Sequence, residues 1–224
     1  MRYIKKGQEP KSWMAHKSTP NATYYGANTD KLRLALIKEQ GYLCGYCMRR
    51  ISVDVGAVTT TRIEHIKCQK VSGREDTSRS LDYNNMILCC DGAENLGEKN
   101  HQCDVLKRDD DLTFSPLNTN ITSLFSYTGD GRMKAYEKEI QTQIGSDTNE
   151  KEKGILNLNN FNLKRARKEV LSVLHAYLDK KGWTTSVLKQ TKKEWFELDK
   201  EGKYKEFSQV VLYFLDKKIR QLPR

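Results

Sequence analysis

The spacing of four of the six cysteines is the clearest chemical signal in this chain of 224 residues. Cys44 and Cys47 are separated by two residues in CGYC, and Cys90 and Cys103 follow after a gap. Structural zinc takes four sulfur or nitrogen ligands in a tetrahedron, and two cysteines at this separation can reach one ion without strain. The pattern therefore predicts a structural zinc site formed by Cys44, Cys47, Cys90 and Cys103.

The second half of this ligand set leaves alternatives open. Cys89 adjoins Cys90, and neighbouring side chains of an extended segment point to opposite faces, so one of the two is expected to be a buried thiol. His101 stands two residues before Cys103 and could replace a cysteine as ligand. The competing interpretation is a set of ordinary reduced cysteines without zinc, because spacing motifs can mislead.

A Glu-His dipeptide lies between the two cysteine pairs. Glu64 and His65 stand in RIEHIK, and Asn84, Asn85 and Asp104 follow within forty residues. A histidine can accept a proton from water near neutral pH, and a carboxylate can hold a hard cation. A single histidine is more often a surface or core residue, but this group of neighbours favours hydrolytic chemistry at a metal ion.

Composition and charge limit the class of protein. Apolar residues make up 37% of the chain and charged residues 30%, which is typical of a folded domain and excludes a disordered tail. The net charge of +10 favours a polyanionic partner, most often nucleic acid. No GxxxxGK[ST] segment occurs in the sequence, so any ATP hydrolysis must come from another chain.

The first twenty residues contain no apolar run that would serve as a signal peptide, and nowhere do eighteen apolar residues occur together. The sequence therefore predicts a soluble, cytoplasmic protein without a membrane contact. Cysteines in a reducing compartment are more often metal ligands or buried thiols than disulfides.

Short elements are predicted around the cysteines. The opening to about residue 28 is interpreted as an irregular arm, and a short helix is expected from Asp30 to a stop at Gly41. The β-branched residues between positions 49 and 61 predict two short strands that turn at Gly56, which places Glu64 and His65 at the end of a strand. Residues 67–80 are expected to form a loop, and a helix is expected near position 103.

The second half of the chain is predicted to be helical and carries most of the positive charge. Apolar residues recur at helical spacing from Asn160 or Asn162 to Gly182, and a second amphipathic helix is expected from about Tyr204. Basic residues at the start of the first of these helices, together with one after Cys103, are candidates for contacts with a nucleic-acid backbone. They are Lys107, Lys164, Arg165, Arg167 and Lys168. An exposed, solvated surface is the plainer alternative for each of them.

The ordered segments CGYC, RIEHI, DYNNMILCC and HQCDVLK resemble the zinc-containing HNH nucleases over residues 41–110. The resemblance implies an α+β protein with a small ββα-metal core, a zinc knuckle and a helical C-terminal region. It divides the chain into an N-terminal arm and helix (1–40), the nuclease core (41–115) and a basic helical region for contacts with a partner or nucleic acid (116–224).

The same resemblance implies roles for individual residues. His65 would act as the general base, Glu64 and Asp104 would hold a catalytic Mg²⁺ or Mn²⁺, and Asn85 would brace the loop. Asn85 is favoured over Asn84 because it lies five residues before Cys90, as in the family pattern. The chain departs from that pattern in the twelve residues between its last two cysteines and in having Asp104 as the final motif residue.

KKGQEP, SPL and ILNLNNFNLKRAR resemble a narrower family, the HNH subunit PtuB of Septu-type anti-phage systems, which also accompanies some retrons. This resemblance implies a toxic effector that cuts DNA, or RNA such as tRNA, and an ABC- or SMC-like ATPase partner, PtuA. A retron reverse transcriptase with its RNA–DNA hybrid would be a further partner. The alternative function is a non-catalytic zinc-knuckle adaptor that binds nucleic acid or tethers the ATPase.

Overall fold

The structure is a computed structural model that describes residues 1–53, 61–149 and 151–222. It combines helices with small antiparallel sheets, which confirms the predicted α+β class and the helical C-terminal region. The helices span Lys11–Lys17 (α1), Asp30–Glu39 (α2), Thr77–Ser80 (α3), Cys103–Lys107 (α4), Lys138–Ile144 (α5), Phe161–Lys181 (α6), Thr185–Phe196 (α7) and Ser208–Gln221 (α8). The strands span Thr61–His65 (β1), Lys70–Val71 (β2), Arg74–Glu75 (β3), Met86–Cys90 (β4), Phe125–Tyr127 (β5) and Met133–Ala135 (β6).

The pair β1–β4 lies at the centre of the part that contains the cysteines. The two strands are antiparallel, with Glu64 opposite Ile87 and His65 opposite Met86. Every residue of β4 is buried, as expected for a short continuous apolar run. Glu64 and His65 are the last two residues of β1, as predicted, whereas the predicted turn at Gly56 lies outside the described residues.

The segment between β1 and β4 is more ordered than the sequence predicts. The expected loop over residues 67–80 contains the hairpin β2–β3 and the short helix α3. Asp76 caps α3, because its carboxylate accepts a hydrogen bond from the backbone N–H of Ser78. The prediction of an unstructured loop was wrong here, and α3 brings the carbonyl of Ser80 to the end of β1.

The N-terminal arm is also not irregular throughout. Residues Lys11–Lys17 form α1, and Trp13 on this helix is buried against the core. The indole Nε1 of Trp13 donates a hydrogen bond to the carbonyl oxygen of Leu81 at 3.1 Å. A buried tryptophan with a satisfied N–H stabilises the docking of the arm next to the loop that contains α3.

The C-terminal region follows the predicted helical pattern at α6. The side chain of Asn160 caps this helix by accepting a hydrogen bond from the N–H of Leu163 at 3.0 Å, and Gly182 ends it with a φ of 92°. The hairpin β5–β6, α5 and α7 were not predicted. At 21 residues α6 is long enough to cross a bilayer but is not apolar enough, and none of the other helices in the described ranges is both long and apolar enough.

One cluster of buried apolar side chains takes members from all three regions that the sequence predicts. Leu36 comes from the first region, Ile87 from the second, and Phe125 and Leu171 from the third. Burial of a large apolar side chain of this kind contributes about 1.5–3 kcal/mol. The three regions therefore share a core, and the C-terminal helices support the segment that contains the cysteines.

Candidate metal centre and active site

Four buried cysteine sulfurs lie close enough together to bind one metal ion. The sulfur atoms of Cys44, Cys47, Cys90 and Cys103, which we call the four-cysteine cluster, all lie within 4.8 Å of one another. The distance is 3.9 Å from Cys44 to Cys103 and 3.8 Å from Cys47 to Cys90. Tetrahedral zinc with Zn–S bonds of about 2.3 Å places its sulfur ligands about 3.8 Å apart. The donor set and its dimensions therefore fit zinc.

Three separate elements supply these ligands. The turn that carries Cys44 and Cys47 is closed by an antiparallel bridge between Leu43 and Arg50. Cys90 is the last residue of β4, and Cys103 is the first residue of α4. A bound ion would therefore join the turn, the central strand and the helix at one point.

Neither alternative ligand belongs to the cluster. Cys89 is fully buried beside Cys44, but its sulfur is outside the group of four. His101 lies within 3.4 Å of the carbonyl oxygen of Glu94 through its Nε2 atom and does not contact the sulfurs. The structure thus selects Cys90 over Cys89 and keeps all four cysteine ligands.

Residues 156–160 support the cluster from the C-terminal side. Asn157, Asn159 and Asn160 are all buried. The side-chain amide of Asn157 donates a hydrogen bond to the carbonyl oxygen of His101 at 2.9 Å, and that of Asn159 donates to the carbonyl oxygen of Met133 at 2.8 Å. The amide of Asn160 donates to Oε1 of Gln102 at 2.6 Å. Gln102 in turn places its Nε2 atom 3.9 Å from the sulfur of Cys90. Outer contacts of this kind orient the ligands of a metal site.

Glu64 lies in a buried polar network next to the four-cysteine cluster. Its Oε1 atom accepts a hydrogen bond from the hydroxyl of Tyr46 at 2.8 Å and lies 2.9 Å from the Nζ atom of Lys107. Burial raises the pKa of Glu64 well above its usual range, a hydrogen bond with Asp104 raises it further, and the positive charge of Lys107 opposes both. The carboxyl group of Asp104, on α4, therefore acts on that of Glu64, on β1.

His65 is buried and held in one orientation. Its Nε2 atom lies 3.0 Å from the carbonyl oxygen of Ser80, and because a carbonyl only accepts, Nε2 must carry the proton. The lone pair of a neutral ring then lies on Nδ1, to which none of the described residues is hydrogen-bonded. Burial lowers the pKa of His65, against the effect of the Ser80 hydrogen bond, so the ring is neutral at neutral pH.

Asn85 joins the two segments that surround His65. Its Oδ1 atom accepts from the backbone N–H of Lys67 at 2.8 Å, and its Nδ2 atom donates to the carbonyl oxygens of Lys67 and Arg79 at 2.9 and 3.0 Å. These contacts fix the end of β1 against α3, whose last residue carries the Ser80 carbonyl. Asn84 is exposed and makes no comparable side-chain contact within the described part of the chain.

Asp104 reaches the same region from the first turn of α4. Its side chain is 19% exposed, and its Oδ2 atom lies 3.9 Å from the guanidinium of Arg62. Arg62 forms a shorter pair, 2.6 Å, with the exposed Glu94. Asp104 is therefore more open to solvent than Glu64, and the pair of carboxyl groups has one buried and one accessible member.

Two of the predicted nucleic-acid contacts are wrong. Lys107 is fully buried and faces Glu64, so it is neither a solvated lysine nor available to a phosphate. Arg167 is 1% exposed and donates to the carbonyl oxygens of Gly131 at 2.7 Å and Leu158 at 2.6 Å. A surface position was expected for both, but helix geometry turns these side chains into the core.

The other three basic candidates are accessible at the start of α6. Arg165 and Lys168 are exposed, and Lys164 is partly exposed. Arg165 forms a surface ion pair with Glu169 at 3.5 Å, which leaves its charge open to solvent. Contact of these residues with nucleic acid stays a prediction.

Two tyrosines near Glu64 and His65 were not identified from the sequence. The ring of Tyr24 meets the ring of His65 edge to face, with centroids 4.7 Å apart, and burial raises the pKa of Tyr24 to about 12. Nothing in the local sequence of Tyr24 indicates this contact. Tyr46 carried a usable signal, since it stands between two ligands in CGYC.

The chain was compared with protein-family models and with curated proteins. No family model matches it. No curated protein matches it either. The functional interpretation therefore depends on the residues and their geometry.

Proposed function

We propose that this protein is a metal-dependent endonuclease of the HNH type that hydrolyses phosphodiester bonds in nucleic acid. The strongest support is the state of His65, a neutral histidine whose Nε2 proton is held by a backbone carbonyl while Nδ1 is left to accept a proton. A histidine that acts as a general base needs an unprotonated ring nitrogen that can take a proton from water. Glu64 precedes His65 on β1, and the charge of Asp104 acts on the pKa of both residues.

The donors at this position suit a hard cation. The charge of Asp104 raises the pKa of Glu64, because two neighbouring carboxylates repel each other when both are ionised, and Mg²⁺ or Mn²⁺ prefers oxygen ligands of this kind. Glu64 and Asp104 would hold the ion, with the four-cysteine cluster reserved for zinc. The ion would supply positive charge to the scissile phosphate and the leaving oxygen.

The chain's own residues would perform the proton transfer. Nδ1 of His65 would take a proton from the attacking water, while the Ser80 carbonyl keeps the ring in the required tautomer. The edge-to-face contact with the ring of Tyr24 also limits rotation of His65. Asn85 keeps α3, and with it the Ser80 carbonyl, in place.

We further propose that the nuclease is the toxic effector of an anti-phage complex. This part depends on the sequence resemblance to the PtuB subunit. It requires an ATPase on another chain and is compatible with a DNA target or an RNA target such as tRNA. The exposed basic residues Arg165 and Lys168 at the start of α6 would contact the nucleic acid or the partner.

One observation favours the adaptor alternative. Oε1 of Glu64 already contacts the hydroxyl of Tyr46 and the Nζ atom of Lys107, so this oxygen has its partners without a metal ion. In a non-catalytic protein the same network would serve only to stabilise the fold. A nuclease and an adaptor differ in their need for Mg²⁺ and for His65, and this difference separates them.

The test is cleavage of DNA and total RNA by the purified chain, alone and with its ATPase, in Mg²⁺ or Mn²⁺ and in EDTA. His65→Ala is expected to lower the rate about 10²–10⁴-fold, as for loss of a general base. His16→Ala is the matched control, because His16 also has its Nε2 atom on a backbone carbonyl, that of Thr23, at 2.9 Å. Cleavage that persists in folded His65→Ala protein or in EDTA would refute the proposal.

A further inference from the structure

Tyr46 stands between Cys44 and Cys47 in the turn, and its hydroxyl points away from the sulfurs and contacts Glu64. The side chain is fully buried, and the hydroxyl donates to Oε1 of Glu64 at 2.8 Å. A buried hydroxyl costs free energy unless it is hydrogen-bonded, and a phenylalanine would fill the same space without that cost. Glu64 is the hydrogen-bond partner of this hydroxyl among the described residues. The apolar core therefore does not explain why a tyrosine stands here.

The helix α4, which carries the cluster cysteine Cys103, also contacts Glu64. Cys103 is followed directly by Asp104, and Lys107 lies one turn further along the same helix. The Nζ atom of Lys107 lies 2.9 Å from Oε1 of Glu64, the oxygen that also accepts from Tyr46. The turn that carries Cys44 and Cys47 and the helix α4 that begins at Cys103 therefore each contribute one side chain that contacts the carboxylate of Glu64.

The arrangement of these donors constrains how Glu64 can turn. Tyr46 and Lys107 both contact Oε1, and Asp104, the other proposed ligand, stands three residues before Lys107 on α4. Two donors on one oxygen fix the rotation of a carboxylate. An ion at Glu64 and Asp104 would then find its first ligand already oriented.

We propose that Tyr46 is a positioning residue that couples the four-cysteine cluster to the carboxylate Glu64, so that zinc in the cluster strengthens binding of the hard cation at Glu64 and Asp104. This inference depends on the proposed function for the identity of that site. The coupling is reciprocal, because a free energy shared by two binding sites acts equally on both.

The first experiment measures Mn²⁺ binding and Mn²⁺-dependent cleavage for the full chain and for Tyr46→Phe. Loss of an outer contact is expected to weaken Mn²⁺ binding about 10–100-fold. One zinc per chain should be retained, and saturating Mn²⁺ should restore the maximal cleavage rate. A variant damaged only in its fold would not recover at high Mn²⁺.

Tyr83→Phe is the matched control. Tyr83 is also buried, and its hydroxyl also donates to a carboxylate, that of Glu39, away from the two carboxyl groups of the site. This variant is expected to bind Mn²⁺ as the parent chain does. Glu64→Gln should lose Mn²⁺ binding with either tyrosine or phenylalanine at position 46.

A second measurement needs no substitution at Tyr46. Zinc is withdrawn from the parent chain by a zinc-selective chelator, with and without excess Mn²⁺. Mn²⁺ is expected to raise the apparent zinc affinity by the factor by which zinc raises the Mn²⁺ affinity, about 5–150-fold for a typical coupling. Glu64→Gln should abolish this effect. Equal zinc release with and without Mn²⁺, or unchanged Mn²⁺ binding in Tyr46→Phe, overturns the coupling.

The outcomes separate this inference from the proposed function. A chain that binds Mn²⁺ at Glu64 and shows the coupling but cuts no nucleic acid refutes the nuclease and keeps the role of Tyr46. A chain that cuts nucleic acid equally well with Tyr46→Phe at every Mn²⁺ concentration refutes the role of Tyr46 alone. A parent chain that binds no Mn²⁺ refutes both.

Discussion

Replacement of one cluster cysteine is predicted to remove the zinc and most of the stability of the region around it. The sulfurs are buried, and their separations of 3.8 and 3.9 Å fit one tetrahedral ion that joins the turn, β4 and α4. Structural zinc contributes about 10–16 kcal/mol of apparent binding energy, whereas a folded domain has a net stability of about 5–15 kcal/mol. Loss of even about 5 kcal/mol would lower Tm by roughly 10–20 °C in a chain of this size.

The assay combines the zinc content per chain, measured by mass spectrometry, with thermal unfolding followed by circular dichroism. The four serine variants of the cluster, at Cys44, Cys47, Cys90 and Cys103, are expected to lose the zinc and to unfold at lower temperature. The matched controls, Cys68→Ser, Cys89→Ala and His101→Ala, should each keep one zinc. Cys89→Ala is the most informative control, because Cys89 is buried directly beside a ligand.

Two results would refute the reasoning. Retention of one zinc by Cys103→Ser together with its loss from Cys89→Ala would show that the ligand set is wrong. A parent chain that purifies without metal and does not gain stability when zinc is added would show that the cysteines are ordinary core thiols. Both results would also remove the physical basis of the coupling through Tyr46.

Two further predictions follow from buried polar contacts. Arg167→Met should lower the free energy of unfolding by about 3–5 kcal/mol in urea titrations, because two carbonyls lose a buried, charged donor. Replacement of the exposed Arg165 on the same helix by methionine should change the free energy of unfolding by less than about 0.5 kcal/mol. Equal effects of the two variants would contradict a buried structural role for Arg167. Asn85→Ala should slow single-turnover cleavage about 10²-fold, because His65 would be misplaced. Replacement of the exposed Asn84 by alanine should leave the rate unchanged. Similar cleavage rates for the two variants would contradict the bracing role of Asn85.

Local geometry explains which features could be predicted from the sequence. The CxxC turn, the cap of α6 by Asn160 and the stop at Gly182 each depend on a few consecutive residues, so their residue types indicate the structure directly. The same holds for the position of Glu64 and His65 at a strand end, because the β-branched segment before them favours a strand.

Burial of charged residues could not be predicted in this way. Lys107 and Arg167 stand in basic, helical segments whose sequence is equally typical of a solvated surface, yet both side chains are buried. The buried Lys107 has its partners on β1, about forty positions earlier in the chain: the carboxylate of Glu64 and the carbonyl oxygen of His65. No pattern within either segment indicates that partner.

The sequence by itself determined the chemical inventory: four cysteines that can hold a metal such as zinc, a histidine next to a glutamate, and a helical C-terminal region. Only the tertiary structure decided which cysteine of the adjacent pair joins the cluster, which nitrogen of His65 is left to accept a proton, and what Tyr24 and Tyr46 contact. The physical reason is that residue types and short spacings set local conformation. Ligand choice, tautomer and burial are instead set by atoms far apart in the chain.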